Sequence, residues 1–116
     1  MTGNGASATV TNSTLTGNTA GQQGGGIDAG LNVAVNFGLT LLNDTINGNF
    51  SGSGGGIFWG GTGSVTVQNT LIAQNTAITS GPDANSAAGT FTDNGGNLIG
   101  IAGTGSGNTG FNAATT

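Results

Sequence analysis

Thr9–Ala20 reads Thr-Val-Thr-Asn-Ser-Thr-Leu-Thr-Gly-Asn-Thr-Ala, and the chain writes the same pattern again at Thr40–Ser51 and Thr66–Ala77. Set in register, the copies form two apolar columns, Val10, Leu41, Val67 and Leu15, Ile46, Ile72. They also form two asparagine columns, Asn12, Asn43, Asn69 and Asn18, Asn49, Asn75. A second motif, Gly24-Gly25-Gly26-Ile27, returns as Gly54-Gly55-Gly56-Ile57 and adds Ile27 and Ile57 to the expected core. The offsets are 31 residues (9 to 40), 26 residues (40 to 66) and 30 residues (24 to 54).

A period of this size, rich in Gly, Asn and Thr and poor in helix formers, predicts one coil of a parallel β-solenoid, each coil stacking on the next. Asparagine tolerates the left-handed backbone of a tight bend. Stacked at about 4.8 Å, like asparagines can also bond amide to amide from coil to coil. Three successive glycines let the backbone take positive φ and lie close to its neighbour.

The motif pair Gly-Gly-x-Ile and Leu15-Thr16-Gly17-Asn18, Ile46-Asn47-Gly48-Asn49, Ile72-Ala73-Gln74-Asn75 resembles the repeats of polymorphic outer-membrane proteins and related bacterial adhesin-like proteins. That family usually has Phe where this chain has Leu or Ile, so the likeness is to the wider right-handed β-helix repeat class. The run from Gly81-Pro82-Asp83 to Gly95-Gly96-Asn97-Leu98-Ile99-Gly100 is similar to the end of such arrays in large secreted bacterial proteins. The resemblance covers roughly residues 8–100 and implies an all-β, right-handed parallel β-helix of about four coils in an extracellular or cell-surface protein.

One domain spans residues 1–116, with an irregular start at 1–7, coils over 8–101 and a Gly/Thr/Asn-rich tail or partial coil over 102–116. Leu31-Asn32-Val33-Ala34-Val35-Asn36-Phe37 alternates with period two and predicts a half-buried strand. Ile78–Ala88 holds the only proline, Pro82, and is expected to be a longer loop. Strands are expected near Gly89–Thr92 and Asn97–Ile101. Ile57 and Trp59 should face inward and Phe58 outward, which makes Phe58 a candidate contact for another molecule.

The charge pattern narrows function sharply. The chain has four acidic residues, Asp28, Asp44, Asp83 and Asp93, and no Lys, Arg or His, for a net charge of −4. Nothing can neutralise a phosphate backbone, so nucleic-acid binding is excluded. Without cysteine there are neither disulfides nor thiolate metal sites. No apolar run approaches the length of a membrane span, and Met1-Thr2-Gly3-Asn4-Gly5 has no basic start of an export signal.

Lyases of the β-helix class resemble one another in pairing Asp-bound calcium with an Arg or Lys base, and this chain has no such base. Glycosidases need clustered carboxylates, whereas here Asp28 aligns with Phe58, and Asp44 with Ser13 and Thr70. Ser and Thr have no His to activate them. The expectation is therefore no enzyme, no cofactor and no metal, since a calcium-binding solenoid would also repeat its Asp. Asn12, Asn43 and Asn49 each begin an Asn-x-Ser/Thr glycosylation acceptor.

Thr9, Thr40 and Thr66 align in a column like those of ice-binding faces, which gives a carbohydrate- or ice-binding module as the alternative function. Natural solenoids protect their end strands with charged or helical caps, and the sequence shows none. The leading expectation is accordingly a structural or adhesive protein that stacks end to end with copies of itself, or a segment of a longer adhesin-like solenoid, with cell-surface glycans as further partners.

Overall fold

The computed structural model describes residues 5–29, 38–87 and 90–101. These residues form a parallel β-solenoid of about three turns, with no helix among them. The expected strand at Leu31–Phe37 and the tail at 102–116 lie outside the described residues, as do residues 1–4 of the expected irregular start.

The first coil carries β1 (Ser7–Thr11), β2 (Thr14–Thr16) and β3 (Ile27–Ala29). The second carries β4 (Gly38–Leu42), β5 (Thr45–Asn47), β6 (Phe50–Ser53) and β7 (Ile57–Trp59). The third carries β8 (Ser64–Gln68), β9 (Leu71–Ala73), β10 (Thr76–Ser80) and β11 (Ala84–Ser86). Among the described residues the fourth is represented by β12 (Thr90–Asp93) and β13 (Leu98–Ile99).

Every pairing is parallel, between strands one coil apart. The sheets run in the orders β1-β4-β8-β12, β2-β5-β9-β13, β3-β7-β11 and β6-β10. Two bridges, Thr19 with Phe50 and Gln23 with Ser53, extend the last sheet toward the first coil.

Register follows the repeat. Val10 lies beside Leu41 and Leu41 beside Val67; Leu15, Ile46 and Ile72 stack likewise. Ile27 stacks on Ile57, and Ile57 on Ala84. Because side chains alternate across a strand, each column presents one residue per coil to the interior. Leu41, Val67, Ile46, Ile72 and Ile57 are fully buried there together with Trp59 and Phe91. Their first-coil partners Val10, Leu15 and Ile27 are only partly buried against this core.

Two expectations need correcting. Ile78–Ala88 is not one long loop: β10 and β11 occupy most of it and complete the third coil. Gly81-Pro82-Asp83 replaces the glycine triplet there, and Gly81 has φ +56°, matching +61° at Gly24 and +63° at Gly54. Only the first residue of the triplet needs the left-handed backbone. The first strand also begins at Ser7, one residue inside the segment expected to be irregular.

Candidate functional site

The inner asparagine column is a continuous amide ladder. Asn18 donates its backbone N–H and its Nδ2 to Oδ1 of Asn49, both at 3.0 Å. Asn49 repeats this to Oδ1 of Asn75 at 3.0 and 2.9 Å. Asn75 repeats it again to Oδ1 of Asp83 at 2.8 and 2.9 Å. The spare amide hydrogens go to the backbone, from Asn49 to the Leu15 carbonyl and from Asn75 to the Ile46 carbonyl, each at 2.9 Å. Asn49 and Asn75 are buried, so these bonds replace water that cannot reach them.

Asp83, from the bend of the third coil itself, takes with its carboxylate the acceptor role of a next asparagine, and that carboxylate donates nothing. Its other oxygen accepts the backbone N–H of Ile101 at 2.6 Å, while its own N–H donates to the Ile101 carbonyl at 3.0 Å. The carboxylate thus ends the run of amides, since it accepts from both sides and has no hydrogen to pass on.

A second ladder runs one bend away. The N–H of Ser13 donates to Asp44 Oδ1 at 2.8 Å, that of Asp44 to Thr70 Oγ1 at 3.2 Å, and that of Thr70 to Asn97 Oδ1 at 2.9 Å. Asp44 also accepts the N–H of Leu42 at 3.0 Å. The sequence alignment of Ser13, Asp44 and Thr70 held this signal, since all three carry a short side-chain oxygen. Asn97 is hidden from it by the change in bend length.

Asn12, Asn43 and Asn69 form the outer column, at exposed bends with φ of 53°, 58° and 49°. Here Asn43 Nδ2 donates to Asn12 Oδ1 at 3.1 Å. Of the three glycosylation candidates, Asn12 and Asn43 are exposed, whereas Asn49 is corrected: it is 1% exposed and its amide is committed to the ladder. A glycan needs that nitrogen free.

Phe58 is also corrected. It stands in register between Asp28 and Asn85 and is 6% exposed, so it offers no surface to a partner. Among the described residues the exposed large apolar side chains are instead Phe50, Ile78, Leu98 and Ile101.

The four carboxylates are spread through the coil. Asp44 and Asp83 serve the two ladders, and Asp93 accepts the N–H of Gly95 at 2.8 Å and Nδ2 of Asn97 at 2.6 Å. Asp28 differs: its buried Oδ1 has no hydrogen-bond partner among the described residues, and burial pushes its carboxyl above the ordinary value. Among the described residues no group of three or more acidic, His or Cys side chains gathers as a metal site would require.

The outer face of the four-stranded sheet beginning at β1 carries Thr9, Thr40 and Thr66 in one column, and the register adds Thr92. The adjacent column is Ser7, Gly38, Ser64 and Thr90. Beside it opens a groove of about 500 Å³, lined among the described residues by Gly5, Ala6, Ser7, Gly38, Thr62, Gly63, Ser64 and Thr90.

Stacked coils with like residues in vertical register define the class: this is a β-solenoid repeat protein. No family model, curated protein or solved structure matches the chain. No helix of the described residues is long and apolar enough to cross a membrane.

Proposed function

We propose that this chain is a structural, adhesive segment of an extracellular protein of the polymorphic outer-membrane or adhesin-like kind, whose solenoid is prolonged by end-to-end stacking on another copy. One observation carries this reading. Val10, Leu15 and Ile27 of the first coil are partly exposed, while Leu41, Ile46 and Ile57 directly above them are fully buried. Another coil laid beneath would bury the first three as well, at about 25 cal/mol per Å² of apolar surface.

The backbone supports the same junction. Along β1 the pairing groups toward β4 belong to even positions, since the N–H of Gly38 meets the Ala6 carbonyl and that of Asn12 meets the Leu42 carbonyl. By the alternation of a parallel ladder, the N–H of Thr9 points away from β4, toward the open edge. The ladder through Asn18 ends at Asp83, so a junction would rest on the edges of the sheets and not on that column.

Negative-stain microscopy and sedimentation of the purified chain test the reading. Unbranched filaments are expected for the native sequence and monomers for Thr9→Pro, because proline removes the edge donor and no bond to β4. Monodisperse native particles at every concentration would overturn it.

A second reading, a carbohydrate- or ice-binding face, is favoured by the unbroken Thr9, Thr40, Thr66, Thr92 column. Thermal hysteresis would distinguish the ice-binding form of it.

A further inference from the structure

We propose that the groove beside Ser7, Gly38, Ser64 and Thr90 is a binding site for a neutral oligosaccharide. The inference needs no end-to-end stacking; it deepens the carbohydrate form of the second reading by moving the contact from the threonine column to the open, shallow groove beside it.

The lining selects the ligand. Its volume of about 500 Å³ falls in the range of small-molecule sites, yet the described side chains that line it are hydroxyls and small groups, not the aliphatic and aromatic surfaces that hold apolar ligands. Among the described residues no charged side chain lines it, and the chain has no Lys, Arg or His to recruit a phosphate or carboxylate. Among the described residues no aromatic ring lines it on which a nucleobase could stack. What remains is a set of hydroxyls on Ser7, Thr62, Ser64 and Thr90, each able to donate and accept, which suits a ligand that is itself an array of hydroxyls.

The groove is also periodic and firmly backed. Ser7, Ser64 and Thr90 come from the first, third and fourth coils, with Gly38 leaving room in the second. A chain of sugar rings crossing the strands would meet one coil per roughly 4.8 Å. Behind the wall, the buried indole of Trp59 donates Nε1–H to the Gly63 carbonyl at 3.2 Å, fixing the turn that carries Thr62 and Ser64.

Amide NMR of the full chain, titrated with cellohexaose and with a hexagalacturonate of equal length, tests the site. Cellohexaose is expected to shift Ser7, Gly38, Ser64 and Thr90, and the acidic oligomer to shift none of them. A Cβ at Gly38 meets nothing within 4 Å, so Gly38→Leu should fold normally and fill the groove, weakening cellohexaose binding by at least about tenfold. Ser64→Ala is the milder variant and should weaken it less. Shifts confined to Thr40, Thr66 and Thr92 would overturn the groove while keeping the flat-face reading. Undiminished binding by a folded Gly38→Leu, preference for the acidic oligomer, or no binding of cellohexaose at millimolar concentration would each overturn the proposal.

Discussion

Asn75 directs both its backbone N–H and its Nδ2 at a single oxygen of Asp83, at 2.8 and 2.9 Å, and the second Asp83 oxygen takes the N–H of Ile101 at 2.6 Å. Asp83 therefore faces donors on both sides. A carboxylate satisfies them, while an amide has one acceptor oxygen and must turn its nitrogen toward a donor whichever way it flips. Asp83→Asn is expected to lower stability by about 1–3 kcal/mol, the cost of a buried unsatisfied group. Urea denaturation followed by circular dichroism measures it, and an unchanged midpoint would show that Asp83 does not terminate the ladder.

The glycine triplets make a different demand. A Cβ on Gly26 would stand 2.7 Å from the Gly56 carbonyl oxygen of the next coil. Backbone cannot step aside as a side-chain tip can, so Gly26→Ala should cost about 1–3 kcal/mol through overpacking. At Gly38 a Cβ meets nothing within 4 Å, and Gly38→Ala should stay within about 0.5 kcal/mol of the native chain. Paired thermal melts of the two variants check the contrast.

These residues explain what could be read from the sequence and what could not. The columns of Val10, Leu41, Val67 and Leu15, Ile46, Ile72 were legible because inward residues recur in every coil and only apolar groups fit there. The third coil was not, because Gly55 and Gly56 are glycines for want of room beneath the next coil. Pro82 and Asp83 stand in their places in the third coil, with Asp83 still buried, and the triplet disappears while the backbone path persists. Phe58 misled for a related reason: alternation along a strand tells which face a residue takes, not whether something covers that face. The groove was invisible because Gly5–Ser7, Gly38, Thr62–Ser64 and Thr90 come from four coils and share no motif.

Asp28 sets a pH dependence. Burial holds its carboxyl above the ordinary 3.8, so between that value and its raised folded value the folded chain binds more protons than the unfolded one. Its contribution is thus most favourable in acid and is lost as pH rises through that window. Asp28→Asn removes the charge and keeps the shape; Phe58, its neighbour in register, offers no charge to replace. The variant should denature at higher urea than the native chain at neutral pH, and the gain should shrink below the carboxylate range. An equal difference at both extremes would assign the effect to packing instead of ionisation.

Leu15 and Ile46 occupy one column but different surroundings, partly exposed at the end and fully buried inside. Ile46→Ala should cost about 2–5 kcal/mol at any protein concentration, from lost burial plus the cavity left behind. Leu15→Ala in a dilute monomer removes less buried surface and should cost about 1 kcal/mol. If another copy covers the first coil, that cost must grow with concentration, because binding to the folded form alone adds stability by mass action. Urea midpoints of native, Leu15→Ala and Ile46→Ala chains, taken across a wide range of protein concentration, separate the cases. A Leu15→Ala deficit that widens with concentration while the Ile46→Ala deficit stays fixed places the junction at the first coil, and two parallel deficits would leave that coil facing water.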